Sequence, residues 1–137
     1  MRRRLLAIIP LLALPLLGLV VATSASAQTA ASVDVTSATQ VAKGAAVDVE
    51  LTVTCEAGSD GFVRTAIAQR FGSRMAQGNV SVFFPCTGEP QTLTLRVTTS
   101  SGSAPFKQGT ALIDAYLQAC NPIECQFADT SETFRIR

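Results

Sequence analysis

Ala45-Ala46-Val47-Asp48-Val49-Glu50-Leu51-Thr52-Val53-Thr54-Cys55 is the stretch on which the fold turns. The odd positions Ala45, Val47, Val49, Leu51, Val53 and Cys55 are apolar, and after Ala46 the even ones are Asp48, Glu50, Thr52 and Thr54. Side chains alternate across a strand and wind round a helix, so this period of two predicts a half-buried β-strand, one face on a core and one in water. The alternation returns in Val80, Val82 and Phe84 against Ser81 and Phe83, and in Leu93, Leu95 and Val97 against Thr94, Arg96 and Thr98. Val and Thr dominate these runs, as pleated surfaces favour.

Outward from these three runs, shorter candidates are Ser32 to Thr36, Phe62 to Phe71, Thr110 to Ala119 with Ala111, Ile113, Ala115 and Leu117 in one phase, and Phe134 to Arg137. Lys43-Gly44, Ala57-Gly58-Ser59-Asp60-Gly61, Gly88-Glu89-Pro90 and Ser100-Ser101-Gly102-Ser103-Ala104-Pro105 separate them, because Gly admits positive φ and Pro fixes a turn. Short strands at this spacing, with no convincing amphipathic helix between them, predict an all-β antiparallel sandwich of two packed sheets, about seven strands in one domain, residues 32–137. Ala66 to Met75 also tolerates a helix. As a strand it turns Gln69 inward, which demands a buried hydrogen-bond partner.

The chain opens with Met1-Arg2-Arg3-Arg4, an apolar run from Leu5 to Ala22, and Ala25-Ser26-Ala27. A positive start, an apolar stretch and a small-x-small site make a cleavable export signal over residues 1–27. The predicted product is secreted and extracellular, with residues 28–31 frayed. Gln28 and Thr29, where a lipid-bearing Cys would stand, predict release over anchoring. Of the 137 residues, 110 then remain, the size of one domain. Losing Arg2, Arg3 and Arg4 turns 11 basic residues into 8 against 10 acidic ones, a net charge of −2. Nucleic-acid and anionic-membrane binding both need concentrated positive charge, so neither is an expected partner after signal cleavage. Arg outnumbers Lys nine to two and Ala, Val and Thr abound, a bias that points to a GC-rich bacterial, actinobacterial genome.

In an oxidising compartment the four cysteines are expected to pair. Four cysteines allow about three pairings, and strand phase selects one. Cys55 continues the inward register of Val47 to Val53, and Cys86 that of Val80 to Phe84. Cys120 lies in the register of Asp114, Tyr116 and Gln118, and Asn121-Pro122-Ile123-Glu124 has the length of a hairpin loop returning to Cys125. The expected bridges are Cys55 with Cys86 and Cys120 with Cys125. Zinc spacing and C-x-x-C are both missing, so no metal or other cofactor is expected.

The chain has no His, which removes Ser-His-Asp triads, Cys-His pairs and His-ligated metals. Phosphate-cradling and nucleophile-elbow motifs are absent too, and an enzyme is not expected. The candidate binding surface is Phe83 and Tyr116, in the outward phase of their strands, Phe106 in the loop Pro105-Phe106-Lys107, and Arg64 and Arg70, which share an outward phase. A non-catalytic protein binding a small molecule, glycan or protein outside the cell is the leading expectation. A structural envelope or matrix role comes next, and third a weak hydrolase built on paired carboxylates.

Val53-Thr54-Cys55-Glu56-Ala57-Gly58, Phe106-Lys107-Gln108-Gly109-Thr110-Ala111 and the Cys120 to Cys125 loop resemble small secreted actinobacterial proteins of uncharacterised function. That resemblance spans most of the chain beyond the signal and implies an Ig-like sandwich. The C-x4-C loop is also similar to that of the neocarzinostatin group of chromophore-carrying apoproteins, secreted sandwiches with two disulfides. The chain departs from that group in the long loop between Cys55 and Cys86.

Overall fold

The computed structural model describes residues 30–137. The predicted export signal, residues 1–27, and residues 28 and 29 lie outside them; Ala31, expected to fray, is half-buried against the core. Seven strands form two antiparallel sheets. In the three-stranded sheet β1 (Ser32–Val41), β2 (Ala46–Thr54) and β5 (Gln91–Thr98) lie in the order β1-β2-β5. In the four-stranded sheet β3 (Asp60–Phe71), β4 (Arg74–Pro85), β6 (Gly109–Cys120) and β7 (Cys125–Ile136) lie in the order β4-β3-β6-β7.

The period-two run of β2 is the middle strand of its sheet, and Val47, Val49, Leu51 and Val53 are wholly buried. Val63 and Ile67 of β3 and Ile113 and Leu117 of β6 belong to the same core. Each such side chain gains roughly 1.5–3 kcal/mol over exposure. On the water side of β2, Asp48 meets Arg96 of β5: Nε donates to Oδ1 at 2.7 Å and Nη2 to Oδ2 at 2.8 Å. That pairing holds the Asp48 carboxyl below the ordinary carboxylate range: the hydrogen bonds from Arg96 outweigh the opposing effect of burial, and charge attraction adds a lesser push in the same direction.

Three strands are longer than their alternation predicts. β1 carries a bulge between Val35 and Ser37, so the inward phase passes from Val33 and Val35 to Ala38, and a strict period of two ends at Thr36. Past the bulge the strand stays paired with β2 and also meets the residue that follows β7: the Arg137 N–H donates to the Ala38 carbonyl (3.0 Å) and the Gln40 N–H to the Arg137 carbonyl (2.8 Å). The first half of β4 points only Ala76 and Gly78 inward. A Cβ on Gly78 would stand 2.1 Å from the Thr98 carbonyl oxygen, so glycine alone lets β4 pass β5 this closely. β7 is a sheet edge whose half-buried positions mix Gln126, Ala128, Thr130 and Glu132 with Phe134. Ala66 to Met75 is strand, tight turn and strand, with Phe71 paired to Arg74.

Phe106 corrects an expectation. It is 1% exposed and belongs to the core, so it is no part of a surface. Its N–H donates to the Gly44 carbonyl (2.8 Å), and its carbonyl accepts from Gln40 Nε2 (2.7 Å). Gln69 finds its demanded partner in the next residue: the Lys107 N–H donates to Gln69 Oε1 and Gln69 Nε2 to the Lys107 carbonyl, both at 2.8 Å. With its flanking peptide groups satisfied, the loop can turn its ring inward at the end of the sandwich where β2, β3 and β6 meet Gly44, Phe71 and Gly109.

The opposite end holds both cross-links. Cys55 is bonded to Cys86 and Cys120 to Cys125, the pairing that strand phase selects. The first joins the end of β2 to the end of β4 and so ties one sheet to the other. The second closes the β6–β7 hairpin, where Asn121 Oδ1 accepts from the Ile123 and Glu124 N–H groups at 2.8 Å and Asn121 Nδ2 donates to Glu56 Oε2 at 3.0 Å.

Candidate functional site

The two outer faces differ in kind. That of β1-β2-β5 displays Asp34, Glu50, Thr52, Thr92, Thr94 and Thr98 around the Asp48–Arg96 pair. The outer face of β4-β3-β6-β7 displays Met75, Phe83, Leu112, Tyr116 and Phe127, five of the six exposed large apolar side chains among the described residues. The sixth, Ile123, is in the loop at the end of the same sheet.

Strand register arranges this face in rows. Nearest the disulfides runs Phe83, Phe62, Gln118, Phe127; the Phe62 and Phe83 rings are tilted together with centroids 5.0 Å apart. The next row is Ser81, Arg64, Tyr116, Asp129, and Tyr116 stacks on Phe127 of the first row at 6.3 Å. Then come Asn79, Ala66, Asp114, Ser131 and after them Gln77, Ala68, Leu112, Thr133. On β3, an inner strand, the outward residue shrinks from Phe62 and Arg64 to Ala66 and Ala68, which lowers the floor of the face.

Three open depressions follow. One of about 360 Å³ lies between Phe62, Phe83 and Gln118. A second, about 340 Å³, is bounded by Arg64, Ala66, Asp114, Tyr116, Asp129 and Ser131. A third, about 260 Å³, shares Ala66 and Asp114 with the second and continues to Gln77 and Asn79. Asp114 accepts a hydrogen bond from the Ser131 hydroxyl. Among the described residues neither Arg64 nor Asp129 has an ion-pair partner.

Of the residues singled out from the sequence, the structure gathers Phe83, Tyr116 and Arg64 towards one end of this face and sets two apart from them. Phe106 is internal, and Arg70, six residues along β3 from Arg64, is about 20 Å away at the other end, its Nε directed at the Gly72 carbonyl (3.5 Å). Arg64 and Arg70 therefore do not form one patch. Phe62, Leu112, Asp114, Phe127 and Asp129 escape sequence reasoning. Phe127 and Asp129 share an outward phase of β7, but the half-buried phase is too polar for alternation to reveal the strand.

Among the described residues no group of three or more His, Cys, Asp or Glu is placed to hold a metal ion, and no helix is long and apolar enough to cross a membrane. No family model matches the chain, and no curated protein or solved structure matches it either.

Proposed function

We propose that the chain is an exported, non-catalytic binding protein that works outside the cell through the outer face of the β4-β3-β6-β7 sheet. The segregation of exposed rings carries this reading: Phe83 at 79%, Phe127 at 59% and Tyr116 at 38% exposure share one side of the molecule, while the other side displays threonines and charged side chains, the Asp48–Arg96 pair among them. Rings left in water over a single contiguous face are what a recognition surface requires. The strand order, with β4 beside β3, supports an Ig-like class, and two disulfides support an oxidising destination.

The test immobilises the oxidised protein and exposes it to culture supernatant and cell-wall extract, beside the double variant Phe83→Ser, Phe127→Ser and the opposite-face variant Thr94→Ala. Saturable capture by the wild type and by Thr94→Ala, weakened at least tenfold in the double variant, supports binding through this face. Absence of saturable capture would instead favour a structural envelope role. Asp114 and Asp129 in one depression are what a carboxylate hydrolase would use, and cleavage of the captured ligand, lost in Asp129→Asn, would replace binding with catalysis.

A further inference from the structure

We infer that the ligand of this face is an uncharged glycan chain, laid along β3 from the Phe62–Phe83 pair towards Ala68. The inference rests on the binding reading above and narrows it to one class of ligand.

Shape argues first. A carrier of small apolar molecules encloses most of its ligand, whereas the three depressions here are open and follow one another. The second and third share Ala66 and Asp114, and the first begins one row earlier at Phe62 and Gln118. From Phe62 to Ala68 is about 20 Å along an extended strand, an elongated bed that suits a chain of several rings.

Surface chemistry argues second. A sugar ring has C–H faces that settle on aromatic rings and a rim of hydroxyls that need both donors and acceptors. Phe83, Phe62 and Tyr116 offer ring surface along the bed. Polar groups stand beside them within one or two strand spacings: Gln118 next to Phe62, Arg64 and Asp129 on either side of Tyr116, then Asp114, Asn79 and Gln77. Arg64 and Asp129 are separated by two strand spacings, about 10 Å, with the Tyr116 strand between them. Neither is consumed by an internal ion pair. A guanidinium donates to hydroxyl oxygens and a carboxylate accepts from hydroxyl hydrogens, so the pair brackets a polyol.

Charge argues third. Along the bed one arginine, Arg64, faces three carboxylates, Asp60, Asp114 and Asp129. A polyanion would be repelled by that balance, and a purely apolar peptide would bury Asp60 and Asp129 without giving them a hydrogen-bond partner. An uncharged polyhydroxylated chain satisfies both conditions.

The experiment is affinity electrophoresis of the oxidised protein in native gels cast with xylan, laminarin, hydroxyethyl cellulose, galactomannan or dextran, with polygalacturonate as the anionic control. Retardation is expected in at least one neutral gel and not in polygalacturonate. Tyr116→Ala should weaken binding at least tenfold, Asp129→Asn and Arg64→Ala each about three- to tenfold, and Thr94→Ala should migrate as the wild type. These positions are exposed, and unchanged melting temperatures show that the variants fold. Absence of retardation in every neutral gel, or retardation that Tyr116→Ala leaves intact, overturns the inference. If capture from cell-wall extract persists through the ring face while all five gels fail, binding stands and the glycan falls. A captured partner destroyed by proteinase and spared by glycosidases would identify a protein in its place.

Discussion

Removing the two cross-links separately should cost the protein unequally, and by amounts that can be worked out. Cys55 and Cys86 close a loop of 31 residues, Cys120 and Cys125 one of 5. Chain entropy then assigns the long bridge about 3.7 kcal/mol and the short one about 2.1 kcal/mol. For the 108 residues from Ala30 to Arg137 the entropy of unfolding is about 0.23 kcal/mol per degree, which converts these losses to roughly 16 °C and 9 °C in Tm. Burial widens the gap: Cys55 is 0% and Cys86 5% exposed, so alanines there also leave a void, whereas Cys125 is exposed. The assay is thermal unfolding followed by circular dichroism for Cys55→Ala with Cys86→Ala and, separately, Cys120→Ala with Cys125→Ala. Equal losses, or a larger one for the short loop, would refute the reasoning that the long bridge is the main clamp between the sheets.

Three further outcomes follow from the core and the charges. Thr65 is wholly buried between Val80 and Ala115 in register, and its hydroxyl has no hydrogen-bond partner; Thr65→Val should raise stability by about 1 kcal/mol, read from urea midpoints. Gln69→Met should lower it by roughly 2–4 kcal/mol, since it strips the Lys107 N–H and carbonyl of partners at a buried position. The Asp48 carboxyl lies below its unfolded value, so its contribution is fully present above about pH 4 and is lost as pH falls through the folded value. Asp48→Asn should therefore flatten part of the acid limb of a stability profile, and with no His in the chain the midpoint should hold level from about pH 5.5 to 8.

Fold and site were legible to different depths. Alternation is clearest in β2, β5 and the second half of β4, because a residue such as Val49 or Leu95 must be apolar to face the core while its neighbours face water. β1 and β7 obey a looser rule, and a bulge of one residue at Thr36 is enough to hide half of β1. Cysteine phase was informative for the same reason as Val phase: Cys55 and Cys86 had to point inward. The face was half legible. Phe83 and Tyr116 could be placed outward one strand at a time, but nothing local says that they lie in adjacent rows, since that depends on the registers Phe62 to Phe83 and Arg64 to Tyr116. Phe106 misled because a ring beside Pro in a loop gives no sign of the Gln40, Gly44 and Gln69 groups that receive it.

Both sulfur bridges sit at one pole, and the Phe106 plug, made only of packing and hydrogen bonds, sits at the other. Reducing agents therefore act on a single end of the molecule, the end that bears Phe62, Phe83 and Phe127. Without the bridges that pole keeps its strand pairing, its share of the core and the Asn121–Glu56 hydrogen bond, and it loses the covalent tie between the two sheets.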